Sequence, residues 1–355
     1  MYASVLERIV ETAAAGYLWA FRVVVIIVVV VGSMLTFMGG KYTAEHWIDF
    51  TVFGLALGGI YALIALGYTM VYGILRMINF AHGEIFMSGA FSAYFVADAL
   101  AKSGFTRENP VVALVLTILF AMLVSTTLAL TVERIAYRPL RYAPRLVPLI
   151  SAIGASFFLQ YTFRGLFGPG IYAYPTIEAL SGKWNIFGVE ILKTQVIVII
   201  AAVLMMLGLY TIVMRTKIGR AMRAVSEDKE TASLMGIDVD RIIAITFAIG
   251  AAMAGAAGVL YSLIFAQVNF FMGFVPGIKA FTSAVLGGIG NIPGAMLGGL
   301  FLGLVESIGP ALFLEGWGIV APYQLKDAIA FTMLVLVLIF RPSGILGERL
   351  VAKKA

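Results

Sequence analysis

Long apolar runs, broken by short polar or basic stretches, set the pattern of this chain. A helix rises 1.5 Å per residue, so about 20 apolar residues cross the roughly 30 Å hydrocarbon core of a bilayer. Runs that meet or approach that length occupy residues 19–38, 50–75, 85–101, 111–132, 146–167, 194–214, 242–265, 277–289, 294–313 and 325–340. Residues 85–101 and 277–289 are short. A half-helix or re-entrant segment is tolerated at membrane depth only where protein or a water-filled cavity covers its backbone. The pattern predicts an all-α, polytopic membrane protein with eight to ten transmembrane helices, short or re-entrant segments included. Residues 23–38, following Arg22, have the length of a signal-peptide core, but no small-residue cleavage site follows them, so they read as a retained helix.

Composition agrees with that pattern: 61% of the 355 residues are hydrophobic and 12% charged, against about 25% charged in an ordinary soluble domain. The net charge of +6 reports loop orientation rather than a nucleic-acid surface, because the cations gather in three places. Arg134, Arg138, Arg141 and Arg145 share one loop; Arg215, Lys217, Arg220, Arg223, Lys229 and Arg241 share another; Arg341, Arg349, Lys353 and Lys354 lie in the C-terminal tail. With ten crossings these regions and the N-terminus fall on one side, which the positive-inside rule makes cytoplasmic. The opposite loops carry fewer cations, among them Lys41, Lys102, Arg107, Lys183 and Lys193, and the Gly-, Pro- and Tyr-rich residues 168–193 are expected to form an irregular external cap.

The absence of cysteine removes disulfides, thiolate metal sites and cysteine nucleophiles together. No G-x-x-x-x-G-K-[ST] loop occurs, so ATP would be bound on a separate subunit or the energy would come from an ion gradient. H-E-x-x-H and G-x-S-x-G are also missing, which leaves no enzymatic motif. The glycines of GGIGNIPG, residues 287–294, lack the G-x-G-x-x-G spacing and follow no predicted strand. They read as helix-breaking and close-packing positions, as do Gly54 with Gly58, Gly294 with Gly298, and Gly299 with Gly303. GGIYALI at 58–64 resembles GVLYSLI at 258–264 and suggests an internal repeat with Tyr61 and Tyr261 in matching places.

Polar residues within or at the ends of apolar runs are candidates for a substrate path, because ionisable groups in lipid are costly. They are Tyr61, Asn79, His82, Glu84, Asn269, Lys279 and Glu306. Against this, Asn79, His82 and Glu84 sit where a helix beginning near residue 85 would be capped, and Lys279 is near enough to a helix end to snorkel to the interface.

One stretch breaks the apolar pattern: RAMRAVSEDKETASLMGIDVDR, residues 220–241. Ser226 or Asp228 can cap a helix and Gly236 can close one, which predicts short helices at 219–225 and 228–235 lying on the cytoplasmic surface. They are expected to expose Ala221, Ala224, Ala232 and Leu234 among charges, either as a solvated connector or as a docking surface for a soluble partner.

Together with NFAHGE at 79–84, ERIAYRPLR at 133–141, AFTSAVLGGIGNIPGAMLGG at 280–299 and RPSGILGE at 341–348, this stretch makes the chain resemble the branched-chain amino acid ABC transporter permeases of LivH type. The likeness covers about residues 50–348, and residues 172–193 have no counterpart in it. It implies a permease subunit of an ATP-driven importer in a bacterial inner membrane. Its implied partners are a second related permease, two ABC ATPase subunits carrying ATP and Mg, and an extracytoplasmic substrate-binding protein. The chain itself would carry no cofactor. It further implies that residues 216–240 couple to the ATPase, through Arg220, Ala221, Arg223, Ala224, Glu227, Asp228, Ala232, Leu234 and Gly236. Residues 1–45 then form an additional N-terminal helix, 46–348 the permease domain and 349–355 a cytoplasmic tail. Urea, a short amide or a sugar remains open as substrate within the same class, and a gradient-driven carrier or channel outside it.

Overall fold

The computed structural model describes residues 2–141, 143–144, 146–186, 189–319, 322–341 and 343–347. Arg145, Arg349, Lys353 and Lys354, and with them the expected tail 349–355, lie outside the described residues. The described residues are predominantly helical: α1 (Tyr2–Gly39), α2 (Ala44–Leu75), α3 (His82–Lys102), α4 (Phe105–Glu108), α5 (Pro110–Val132), α6 (Leu146–Phe167), α7 (Lys193–Arg215), α8 (Lys217–Glu227), α9 (Lys229–Leu234), α10 (Val239–Phe265), α11 (Phe274–Gly287), α12 (Ile292–Gly309) and α13 (Lys326–Phe340). Among the described residues, eight helical spans are long and apolar enough to cross a membrane, with α5 and α12 each prolonged by a π-helical turn, at Glu133–Tyr137 and Pro310–Leu314. This is a multi-pass membrane protein. α3, which carries His82 and Glu84 in its first turn, and the 14-residue α11 are not among the eight.

α2 is the axis of the fold. It is apolar all round, which suits a helix surrounded by other helices rather than one facing lipid. α12 lies along it on a seam of small residues: a Cβ on Gly58 would sit 2.8 Å from the Leu300 Cα, and one on Gly303 would meet Gly58 and Gly54 backbone. Contacts that close leave no room for a side chain and maximise dispersion between backbones, which is what holds helices together where lipid is as apolar as leucine. Gly294 and Gly298 lie instead on the next seam, against Gly287 and Ser283 of α11. α10 meets α2 on the other side, where a Cβ on Gly250 would be 3.0 Å from the Gly67 Cα.

α1 is fastened to the far end of α12. The Thr36 hydroxyl donates to the Ala311 carbonyl (3.3 Å) and accepts from the Gly316 amide (3.0 Å). After α13 the chain turns back: the Ile345 and Leu346 amides donate to the Leu286 and Gly287 carbonyls at 2.8 and 3.0 Å, and the Asn291 side chain donates to the Leu346 carbonyl at 2.9 Å. Residues 343–347 thereby strap the turn between α11 and α12.

The cap expected to be irregular at 168–193 is partly ordered as sheet. Lys183–Ile186 (β2) and Val189–Leu192 (β3) form an antiparallel hairpin with Lys183 opposite Leu192, while Tyr172–Ala173 (β1) pairs with Gln267–Val268 (β4), taking strands in chain order. Alternation of polar and apolar residues in KWNI, and in the first three residues of VEIL, supplies the period of two that a strand needs. The composition of the surrounding loop hides it.

Candidate functional site

At the hairpin end, α2, α12, α13 and the start of α7 enclose a cavity of about 440 Å³, lined in part by Asp49, Phe53, Glu190, Glu306, Tyr323 and Lys326. Ser307 holds α12 to α2 there, its hydroxyl donating to the Phe50 carbonyl at 2.6 Å. The hairpin contributes Lys183 and Glu190, paired at 2.7 Å; this bond holds the Glu190 carboxyl below its ordinary range.

Four helices converge on the floor of this cavity. Glu306 of α12 accepts from the Tyr61 hydroxyl of α2 at 2.9 Å and from the Lys279 ammonium of α11 at 2.7 Å. Lys279 also pairs with Asp327 at the start of α13, 2.6 Å away, and lies 5.7 Å from the centre of the Tyr61 ring. Lys326 stands 3.6 Å from the same Glu306 oxygen. Glu306 and Lys279 are each only 3% exposed. Ionised groups that deep persist only when paired and hydrogen-bonded, and this cluster meets both conditions.

Lys279 therefore does not snorkel. Its ammonium is held between Glu306 and Asp327 with 4% of the side chain exposed, on a helix whose Gly277 packs against Gly83 of α3. Nor do Asn79, His82 and Glu84 cap α3: its N-cap is Ala81, with no side-chain cap bond, and all three are buried. They form a second polar centre at the break between α2 and α3. The Asn79 carbonyl accepts from the Tyr137 hydroxyl at 2.9 Å, the His82 ring meets the Tyr68 ring edge-on at 4.8 Å, and Glu84 accepts a long 3.5 Å bond from Gln160. Asn269 joins neither centre; its side chain accepts from the Phe271 amide at 2.9 Å in the loop before α11. The two tyrosines of the faint repeat do meet, in one apolar cluster with Leu57, Leu302 and Ala330.

Asp327 and Lys326 are the residues that sequence reasoning missed. They occupy the first turn of an apolar helix, where a Lys-Asp pair reads as an ordinary polar flank.

At the opposite, basic end, α8 and α9 follow the expected caps with shifted limits. Thr216 caps α8 by accepting from the Gly219 amide at 3.1 Å. Asp228 caps α9 by accepting from the Glu230 and Thr231 amides at 2.9 and 3.1 Å, and its bond from the Thr231 hydroxyl holds its carboxyl below the usual range. Ser226 caps neither helix; its hydroxyl donates to the Arg223 carbonyl. Gly236 takes the left-handed conformation (φ +83°) that ends the element. Arg220 and Glu227 are exposed, and Arg223 bonds to the Val213 carbonyl. The expected apolar face needs correction. Ala232 is buried, and Ala221 and Ala224 are half-buried against the core, because α8 is strongly amphipathic and turns its small residues toward α7 and α10. What remains outward is Leu234, 88% exposed, and Met235, 79% exposed.

A family profile described as "Branched-chain amino acid transport system / permease component" matches residues 50–338. The high-affinity branched-chain amino acid transport system permease protein BraD of Pseudomonas aeruginosa is 45% identical over 313 residues, covering 87% of this chain and 98% of that protein. LivH of Escherichia coli K12, a permease protein of the same description, is 44% identical over 84% of this chain and 95% of its own length. A solved chain of a metal-chelate type ABC transporter, in an inward-facing conformation, aligns with 82% of this chain and 85% of its own at a TM-score of 0.42 and 16% identity. With the profile spanning most of its membrane helices and such relatives matched nearly end to end, the chain belongs to the branched-chain amino acid transport system permease family.

Proposed function

We propose that the chain is one of two permease subunits of an ATP-driven importer that moves branched-chain amino acids into the cytoplasm. The match to BraD over 98% of that protein carries the reading. The basic end, with Arg134, Arg138, Arg141, Arg215, Lys217, Arg220 and Arg223, faces the cytoplasm by the positive-inside rule. Residues 216–240 there dock an ABC ATPase, with Leu234 and Met235 as the apolar anchors inside the charged rim of Arg220, Glu227 and Lys229. The hairpin end receives substrate from an extracytoplasmic binding protein, and the cavity above Tyr61, Lys279 and Glu306 is the mouth of the path. Closure of the ATPases on ATP drives α8 and α9, and through their packing α7 and α10, so that the path opens alternately to the two sides. The family profile begins at residue 50, in keeping with α1 as an addition to the permease domain.

The test is uptake of labelled leucine by proteoliposomes containing this chain, its partner permease, both ATPase copies and the binding protein. ATP-dependent accumulation is expected only with all components present. Uptake by this chain alone, driven by an ion gradient, would overturn the assignment.

A further inference from the structure

Two lysines approach Glu306, and their situations differ. Lys279 lies 2.7 Å from one carboxylate and 2.6 Å from another, with 4% of its side chain exposed. It is a closed clamp between α11, α12 and α13. Lys326 lies 3.6 Å from Glu306, beyond hydrogen-bond length, with 42% of its side chain exposed, and it lines the cavity. A carboxylate offers about four lone-pair sites. Tyr61 and Lys279 each take one on Glu306, and that residue also borders the cavity. Of the other charged residues in the cavity wall, Lys183 and Glu190 satisfy each other, leaving Asp49. The inner end of the cavity thus sets an incompletely engaged carboxylate beside an incompletely engaged ammonium. Phe50, Phe53, Leu192 and Tyr323 supply apolar wall around them.

We propose that Glu306 and Lys326 seat the two charges of a zwitterionic amino acid: its ammonium on Glu306, its α-carboxylate on Lys326, and its aliphatic side chain against Phe50, Phe53, Leu192 and Tyr323. The inference rests on the amino-acid reading above. Insertion of the zwitterion makes two charge-assisted bonds of about 2.8 Å each and parts Lys326 from Glu306 to roughly 6 Å, a movement the flexible four-carbon lysine stem accommodates. A molecule with one charge leaves either Glu306 or Lys326 without its new partner. A sugar or urea leaves both. Glu306 is the buried member, and rejection of a ligand that leaves a buried polar group without its partner is stronger than rejection by shape alone; the partly exposed Lys326 adds a smaller preference for a carboxylate, and the apolar wall selects for the branched tail.

The chain contains no cysteine, so a thiol at the cavity wall reports occupancy directly. In the assembled importer carrying Gln195→Cys, leucine should slow modification by a small thiol reagent. Leucinamide, which lacks the carboxylate, and isovalerate, which lacks the ammonium, should not. Adding Lys326→Gln should raise the leucine concentration for half-protection about tenfold, the loss of one charge-assisted contact at a partly exposed site, and Lys326→Arg should restore it to near the parental value. Elution as an intact complex on size exclusion shows that a variant has assembled. Equal protection by leucine and leucinamide, an unchanged half-protection concentration in Lys326→Gln, or no protection by leucine at all would overturn the seat. Leucine uptake by the same preparation separates the two readings: import without charge-dependent protection removes only the seat, whereas absence of import removes the amino-acid assignment beneath it.

Discussion

Replacing Lys279 by Met tests whether the cluster under the cavity is part of the scaffold. Removing one partner from a buried ion pair costs about 3–5 kcal/mol, because the remaining charge is left in low dielectric. Here the stranded charge is Glu306, 3% exposed, whereas Asp327 buries only the Oδ1 that faces Lys279 and, with its side chain 47% exposed, keeps its other oxygen open to hydration. Glu306 keeps the Tyr61 hydroxyl at 2.9 Å and has Lys326 at 3.6 Å. The cost should therefore fall at the lower end, about 3 kcal/mol, or a decrease of roughly 6 °C in the unfolding midpoint at about 2 °C per kcal/mol. Adding Glu306→Gln removes the stranded charge while leaving an amide oxygen for Tyr61, so the double variant should recover most of that loss. Thermal unfolding of the purified chain in detergent, read for both single variants and the pair, closes the cycle. A midpoint for Lys279→Met within 1 °C of the parent, or strictly additive losses in the pair, would refute the reasoning.

Three other outcomes are expected. Leu234→Asp with Met235→Asp should abolish co-purification of the ATPases and leucine uptake while leaving the unfolding midpoint unchanged, because both side chains are outward; Ala232→Asp, at a buried position, should instead lower the midpoint. Single cysteines at Glu227 and Ser181, both exposed, should be labelled by an impermeant thiol reagent from opposite sides of the membrane, with Ser181→Cys the one reached in intact cells; the reverse pattern would invert the topology. Gly303→Ala places a Cβ 2.5 Å from the Gly54 carbonyl oxygen, on backbone that cannot yield, and should destabilise by about 1–3 kcal/mol, while Gly208→Ala, with nothing within 4 Å, should be neutral or mildly stabilising in the same melting assay.

The membrane helices are legible in the sequence because a bilayer demands length and apolarity, both linear properties. The caps at Asp228 and Gly236 are legible for a related reason: they satisfy backbone groups only a few residues away. Placement is where linear pattern stops informing. Lys279 lies six residues into α11, and sequence distance alone puts it near a surface, but the helix is largely buried from Pro276 on and turns the lysine inward onto Glu306. Ala232 carries the same small side chain as an exposed alanine, and only the way α9 lies against its neighbours turns it inward. Asp327 acquires its partner from 48 positions away across two turns, a convergence that no window of neighbouring residues records. The hairpin fails to announce itself for a different reason: two four-residue strands are shorter than the glycine- and proline-rich context that dominates the reading.

The strap formed by residues 343–347 has a consequence for biogenesis. It follows α13 in the chain, yet the carbonyls it satisfies belong to Leu286 and Gly287, and the side chain that holds it belongs to Asn291. During synthesis α11 and α12 must enter the membrane with that corner still open, and the corner closes only when the polypeptide beyond α13 has emerged. Insertion of the preceding helices and completion of the native state are thus separate events in time, and the interval between them is a window in which an assembly factor or the partner permease meets a molecule whose last tie has not been made.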